Sequence, residues 1–285
     1  MDDEGRAKLK AAQAIMPRFL FQIWSSDSGG DSCLNSMSAI TPKRCFEHNQ
    51  GSWRSSTPDI HSHTREKLLD MLQRHLDYDT SEDWQTEFLS WGASLSDVLS
   101  RAQPSDPSEK REGEEGFEGY RVSVVDTRAL PECVKVYYCP ALRFLLPEGE
   151  KHTGDFTKNS DKREYLIHRI VTRSAMATAN IGDWIKASVI VSDELPLREF
   201  NDAERDSTVS LKVEHILAAR RLGELYGGVF VVLVAAAAVC TWRRKLANWL
   251  EQGPDDDEIR LFAEHMKPHE VPDEMGKTLR CWTKT

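Results

Sequence analysis

Residues 17–30 read PRFLFQIWSSDSGG, and this stretch decides the first element of the fold. The run from Phe19 to Trp24 is apolar, aromatic and β-branched, which is typical of a buried strand. Ser25 to Gly30 are turn-forming residues, so they end the strand in a loop. The preceding residues, 1–16, are polar with several alanines and predict a short helix or a frayed arm.

Further along the chain, the hydrophobic pattern changes to the helical period. Between residues 65 and 78, four leucines recur at spacings that place them on one helical face. The pattern predicts an amphipathic helix on which these leucines are buried: Leu68, Leu69, Leu72 and Leu76. Phe88 to Ser90 then predicts a short strand, and the apolar positions from Leu95 to Ala102 predict a second helix.

Residues 103–119 (QPSDPSEKREGEEGFEG) are charged and contain proline and glycine, which predicts a flexible, solvent-exposed loop. Four runs rich in valine, isoleucine and tyrosine follow and predict strands: Val122–Val125, Val134–Tyr138, Tyr165–Val171 and Ser188–Val191. No amphipathic helix of 10–15 residues alternates with these runs, which disfavours a doubly wound parallel sheet. The sequence therefore predicts an α+β fold, with N-terminal helices, a mostly antiparallel sheet and C-terminal helices.

The last third of the chain predicts helices. Leu211 to Leu225 is amphipathic, and residues 227–242 (GGVFVVLVAAAAVCTW) carry no charge. This run is slightly short for a membrane span and contains four consecutive alanines, which favours a buried central helix. The basic residues Arg243 to Lys245 resemble a positive-inside flank, so a membrane tether through residues 225–242 is the alternative. The expected organisation is an arm (1–16), an α+β module (17–200), a helical part packed on it (201–252) and an acidic tail (253–285).

Composition limits the partners and the compartment. The formal net charge of -9, with no run of lysine and arginine, disfavours nucleic acid as a partner. The start MDDEGRAKLK has no apolar core of a secretory signal, and the six cysteines are widely spaced, so reduced thiols in cytosol or nucleus are expected. No metal is expected, because His61 and His63 are not matched by a second ligand pair at zinc-site spacing. The Gly-x-Ser-x-Gly, phosphate-loop and His-Glu-x-x-His motifs are also missing from the sequence.

Three segments carry a resemblance to a known family. PRFLFQIWSSDSGG (17–30), EFLSWGASLSDVLSRA (87–102) and REYLIHRIV (163–171) together resemble a family of uncharacterised fungal domains. Members of that family commonly run Leu-Phe-Arg-x-Trp before a Ser/Gly turn, then Ser-Trp-x-x-Ser-Leu, then a Tyr-Leu-x-His strand. The resemblance spans about residues 17–240.

The order of these segments is also similar to that of cholera-toxin-like mono-ADP-ribosyltransferases, and this resemblance implies a split sheet and an NAD site. Gln22 stands where that family has the arginine that holds an NAD phosphate, and Ser90 stands at the first serine of its Ser-Thr-Ser strand. Glu164 stands near the glutamate that stabilises the oxocarbenium charge. Two departures weaken the likeness: Gln22 is neutral, and Lys162 cannot act as the second carboxylate.

Two classes of function follow from these residues. The first is a non-catalytic or altered transferase-like interaction module that has no cofactor and binds an unknown protein partner. The second is an active NAD-dependent ADP-ribosyltransferase or NAD glycohydrolase that uses Glu164 as the catalytic residue. Catalysis requires Gln22, Ser90 and Glu164 to line one cleft. The residue that binds the phosphate and the residue that stabilises the oxocarbenium ion must both reach the same cofactor.

Overall fold

The computed structural model describes residues 2–13, 16–25, 28, 34–42, 45, 59–76, 86–100, 119–145, 164–192, 213–243 and 256–266. The chain divides into two compact units. One comprises residues 1–93 and 123–176, and the other comprises residues 94–122 and 177–285.

The strands of the described residues are β1 Phe19–Trp24, β2 Ala39–Ile40, β3 Phe88–Gly92, β4 Arg121–Asp126, β5 Lys135–Tyr138, β6 Glu164–His168, β7 Val171–Thr172 and β8 Met176–Asn180. Six of them form the main sheet, in the order β5-β6-β3-β1-β4-β8. Strand β3 pairs antiparallel with β1 and with β6, and β5 pairs antiparallel with β6. Strands β2 and β7 form a separate antiparallel pair.

Seven α-helices have bounds within the described residues: α1 Asp3–Ala11, α2 Arg65–Leu76, α3 Leu95–Ser100, α4 Ile181–Ser192, α5 Val213–Glu224, α6 Phe230–Arg243 and α7 Asp256–His265. Short 3-10 helices lie at Ile60–Ser62, Thr127–Ala129 and Cys139–Leu145. A helix at the N-terminus, a mostly antiparallel sheet and helices at the C-terminus confirm the predicted α+β fold class.

In the first unit, helix α2 covers one face of the sheet, which we call the α2 face. Leu68, Met71 and Leu72 of α2 are buried against Phe88 of β3 and Leu166 of β6. Leu9 and Ala12, at the end of α1, join the same cluster. The predicted amphipathic helix is therefore confirmed for Leu68 and Leu72, whereas Leu69 is only partly buried. The side chain of Leu76 lies outside the described residues.

The opposite face of the sheet, which we call the tryptophan face, carries a second apolar cluster. It contains Leu20 and Trp24 of β1, Leu89 and Trp91 of β3, and Tyr165 and Ile167 of β6. The indole Nε1 of Trp24 donates to the hydroxyl of Ser123 over 2.7 Å, which satisfies its buried polar atom. Since side chains alternate along a strand, these residues occupy the positions between those of the α2 face.

The second unit is built around the hairpin of α5 and α6. Gly223 of α5 faces the backbone of α6 so closely that a β-carbon there would overlap the carbonyl oxygen of Val231. Gly227 and Gly228, with φ angles of +66° and +51°, form the turn in a conformation that favours glycine. Residues 231–239 of α6 are all buried, as expected of a central helix. Among the described helices, none is long and apolar enough to cross a membrane.

Three buried polar groups of the second unit are paired with one another. The indole Nε1 of Trp184 in α4 donates to the hydroxyl of Tyr226 over 3.0 Å, and this hydroxyl donates to the backbone oxygen of Val122 over 3.1 Å. The chain thus satisfies three polar groups without water at this point.

One predicted strand is wrong. Ser188–Val191 belongs to helix α4, Ile181–Ser192. The β-branched residues there suggested a strand, but Ile181, Trp184, Ile185 and Ser188 already follow the helical spacing, and the helix that begins at Ile181 continues through this run. Strand β8, Met176–Asn180, was not predicted, because its sequence MATAN has little of the valine and isoleucine that marks strands. The predicted loop at 103–119 lies outside the described residues, apart from Gly119.

Candidate functional site

Gln22 lies in β1 on the tryptophan face. Phe21 is paired with Gly92 of β3, and Gly92 is paired with Glu164 of β6. Directly opposed residues in antiparallel strands share a face, so Phe21 and Glu164 point to one side and Gln22 to the other. The Oε1 atom of Gln22 is buried and has no hydrogen-bond partner among the described residues.

Ser90 lies in the middle of β3 on the α2 face, and it is half-buried. Its hydroxyl forms a hydrogen bond of 2.7 Å with Nε2 of His75 in the last turn of α2. The serine predicted to bind a cofactor is thus engaged by a side chain of the helix that covers the sheet.

Glu164 is the first residue of β6 and shares the α2 face with Ser90. Ser90 is paired with Leu166, so Ser90 and Glu164 are offset by two residues on neighbouring strands. Only 5% of Glu164 is exposed. The structure therefore brings two of the three predicted site residues, Ser90 and Glu164, onto one face and places Gln22 on the other; Lys162 lies outside the described residues.

Arg18, the nearest arginine to Gln22 in the sequence, is engaged elsewhere. Its guanidinium contacts the Asp126 carboxylate at 3.2 Å and lies over the ring of Phe19, 4.7 Å from the ring centroid. Arg18 is therefore bound to Asp126 and Phe19 and does not replace the arginine that is missing at Gln22.

A group of buried polar residues that sequence patterns did not predict lies at one end of the α2 face. Nε2 of His168 is 2.8 Å from Oε2 of Glu87, and Nε2 of His63 is 3.5 Å from the same oxygen. The side chains are 1%, 1% and 3% exposed for His168, Glu87 and His63. We call these three residues the histidine–glutamate cluster.

Local structure places each member of the cluster. His63 ends the 3-10 helix that precedes α2, Glu87 immediately precedes β3, and His168 is the last residue of β6. The backbone oxygen of Glu87 accepts from the N–H of Arg169 over 3.1 Å. Arg169 has a φ of 82°, a left-handed conformation that costs a non-glycine residue about 1–2 kcal/mol, so the chain is strained where it leaves the cluster.

The cluster holds a buried negative charge. Burial acts to raise the pKa of Glu87, but the hydrogen bond from His168 and the electrostatic influence of the two nearby imidazoles outweigh burial and lower this pKa to about 2. An ionised carboxylate only accepts hydrogen bonds, so each Nε2 that donates to it must carry a proton. Burial lowers the pKa of His63, although Glu87 acts in the opposite direction. His63 is therefore neutral at pH 7, and its Nε2 lies 3.5 Å from the Glu87 carboxylate without a hydrogen-bond partner among the described residues.

The hydrogen bond between His75 and Ser90 is a second polar contact between α2 and the sheet. The ring of Phe88 separates it from His168, with edge-on contacts at centroid distances of 6.1 Å and 5.9 Å. Burial lowers the pKa of His75 to about 4, so this imidazole is neutral at physiological pH. Its Nδ1 atom is buried and has no hydrogen-bond partner among the described residues.

The arrangement can hold and exchange protons in a place that excludes water. Two imidazoles converge on one carboxylate oxygen, and a third binds a serine hydroxyl. Within the described residues, no three side chains of histidine, cysteine, aspartate or glutamate are arranged to hold a metal ion.

Sequence reasoning missed this cluster because its members are distant in the chain. His75 was detectable, since it continues the buried spacing Leu68, Met71 and Leu72 of α2. His168 was detectable as a histidine within the apolar strand EYLIH. Their pairing with Glu87 and Ser90 depends on strand register, which no local pattern shows.

The fold and these residues define an α+β module with a buried polar cluster on one sheet face. The chain belongs to the family described as Domain of unknown function (DUF7587), whose model matches residues 15–182. That match covers more than half of the chain and includes β1 to β8 together with every candidate site residue. No curated protein and no solved structure matches the chain.

Proposed function

We propose that the protein is a non-catalytic interaction module, altered from an ADP-ribosyltransferase-like ancestor, that acts by binding another protein. One observation carries the proposal: Gln22 and Glu164 project from opposite faces of the sheet. A single dinucleotide bound to one face would reach only one of them, so the phosphate holder and the oxocarbenium stabiliser do not share a cofactor.

The chemistry of the three residues supports the same proposal. Gln22 offers a neutral amide where phosphate binding relies on a charged, bidentate arginine. Ser90 is already bound by His75 at 2.7 Å. Only 5% of Glu164 is exposed, so little of its surface is open to an incoming ribose. The net charge of -9 favours a protein over a nucleic acid as the macromolecular partner.

The test is incubation of the full chain with NAD labelled in the nicotinamide ring. We expect no nicotinamide release above the blank and no saturable NAD binding. Gln22→Arg is expected to raise neither nicotinamide release nor NAD binding above the blank, because the new guanidinium would lie on the tryptophan face. Nicotinamide release by the wild type that disappears in Glu164→Gln would overturn the proposal.

The alternative function, an active transferase or NAD glycohydrolase using Glu164, draws on one observation. Ser90 and Glu164 share the α2 face and are offset by only two residues on adjacent strands. Diagonal neighbours of this kind lie about 7–8 Å apart, within reach of one nicotinamide ribose. The Glu164→Gln comparison distinguishes this function from the non-catalytic one.

A membrane tether through residues 225–242 remains a third proposal, and the apolar character of that run is its support. Recovery of the full chain in the membrane fraction after a carbonate wash would favour it. Recovery in the supernatant would count against it.

A further inference from the structure

Helix α2 is attached to the sheet near both of its ends by a buried histidine. His63, two residues before the helix, faces Glu87 at 3.5 Å. His75, in its last turn, binds Ser90 at 2.7 Å. Between them, the apolar side chains of α2 pack on the α2 face of the sheet. The polar attachments and the apolar contacts therefore hold the same helix on the same surface.

Both imidazoles are buried, so a protonated ring is disfavoured at either attachment. Nε2 of His75 faces a hydroxyl, and its ring contacts the edge of Phe88, so an added proton would create a charge with no carboxylate beside it among the described residues. Such a charge is costly in an environment that excludes water. His63 does face a carboxylate, but His168 already donates to the same oxygen at the shorter distance of 2.8 Å.

Other charged and titratable groups surround the two histidines. Lys67 of α2 lies close enough to His63 to disfavour its protonation, and so does His168 of β6. Lys135 of β5 is the cross-strand neighbour of His168. Around the hydroxyl of Tyr137, also on the α2 face, lie Asp59 and Arg169. Glu87 is the carboxylate that faces both histidines: its Oε2 accepts from Nε2 of His168 over 2.8 Å and lies 3.5 Å from Nε2 of His63.

We propose that acid releases α2 from the sheet, so that this helix is a pH-operated lid over the α2 face. Protonation of His75 and His63 places buried charge beneath the docked helix and destabilises both attachments, so the helix leaves and the apolar side chains beneath it become exposed. The central strands β1, β3 and β6 stay paired, because their tryptophan-face cluster contains no histidine.

The pH window follows from the direction of the shifts. Both histidines have a pKa below the ordinary 6.5 when the helix is docked, and that of His75 is about 4. Their contribution to the closed state is complete above pH 6.5 and is lost as the pH falls toward 4. Glu87 keeps its charge over this range, since its pKa of about 2 lies lower still. As the pH falls, His75 and His63 are therefore protonated before Glu87 is.

Hydrogen exchange on the full chain between pH 7.5 and pH 4.5, corrected for the intrinsic pH dependence, tests the proposal. Residues 65–76 should lose protection by up to about tenfold per pH unit for each histidine below pH 6.5. Residues 88–92 should stay protected over the same interval. His75→Gln keeps a hydrogen-bonding group for Ser90 but cannot be protonated. In this variant the loss of protection at residues 65–76 should therefore depend less steeply on pH, by the equivalent of about one proton.

His61→Gln is the matched control, because His61 lies in the adjacent 3-10 helix outside the cluster, and it should behave as the wild type does. If His75→Gln does not fold, His63→Gln provides the same measurement at the other attachment. The proposal is overturned if protection of residues 65–76 does not change with pH. It is equally overturned if residues 88–92 lose protection in parallel, or if both histidine variants keep the wild-type pH dependence.

Discussion

Glu87→Gln tests the electrostatics of the histidine–glutamate cluster. The pKa of Glu87 is lowered from 4.5 to about 2 by its histidine partners, and the side chain is 1% exposed. At about 1.4 kcal/mol per pH unit, this difference corresponds to about 3 kcal/mol of stability at neutral pH. Glutamine has the same shape but no charge, so we expect the free energy of unfolding to fall by up to about 3 kcal/mol at pH 7.5.

Urea denaturation followed by tryptophan fluorescence measures this loss, with Glu132→Gln as the control at an exposed position. Because the pKa of Glu87 is depressed in the folded state, its contribution is complete above pH 4.5 and is lost as the pH falls toward 2. The difference between wild type and variant should therefore be constant above pH 5 and shrink below pH 4.5. A loss below about 1 kcal/mol at pH 7.5, or an equal loss in Glu132→Gln, would refute the reasoning.

Three further substitutions test packing, and urea denaturation measures each of them. Leu72→Ala removes a fully buried side chain of α2 and should cost about 2–5 kcal/mol, whereas Leu217→Ala at a 40% exposed position should cost under about 0.5 kcal/mol; equal losses would contradict the orientation of α2. Gly223→Ala should destabilise the second unit by about 3 kcal/mol or more, because its β-carbon overlaps the backbone of α6; a neutral result would show that the two helices do not approach so closely. Tyr226→Phe leaves the indole N–H of Trp184 without its acceptor and should cost about 1–3 kcal/mol, while an unchanged midpoint would argue against that buried hydrogen bond.

The sequence by itself was sufficient to predict most of the strands and helices. Phe19–Trp24 is apolar at every position except Gln22, and it forms a strand with buried residues on both faces. The leucine spacing of residues 65–78 predicted α2, because apolar side chains three and four residues apart share a helical face. The run at Ser188–Val191 suggested a strand because valine and isoleucine favour strands, but the helix that begins at Ile181 continues through it.

The candidate site shows what the sequence could not decide. Residue types alone singled out Gln22, Ser90 and Glu164, but whether they meet depends on the pairing of Phe21 with Gly92 and of Gly92 with Glu164. A shift of one residue in either pairing would exchange the faces, and nothing local to these strands specifies that register.

The histidine–glutamate cluster depended entirely on tertiary structure. His63, Glu87 and His168 carry no motif, and 81 residues separate the pair that forms the 2.8 Å contact. The sequence determined which faces of α2 and the strands are apolar, because burial of apolar surface follows the period of the backbone. Only the folded chain decided which polar groups share the resulting interior, since a buried carboxylate is stable where donors from distant segments converge on it.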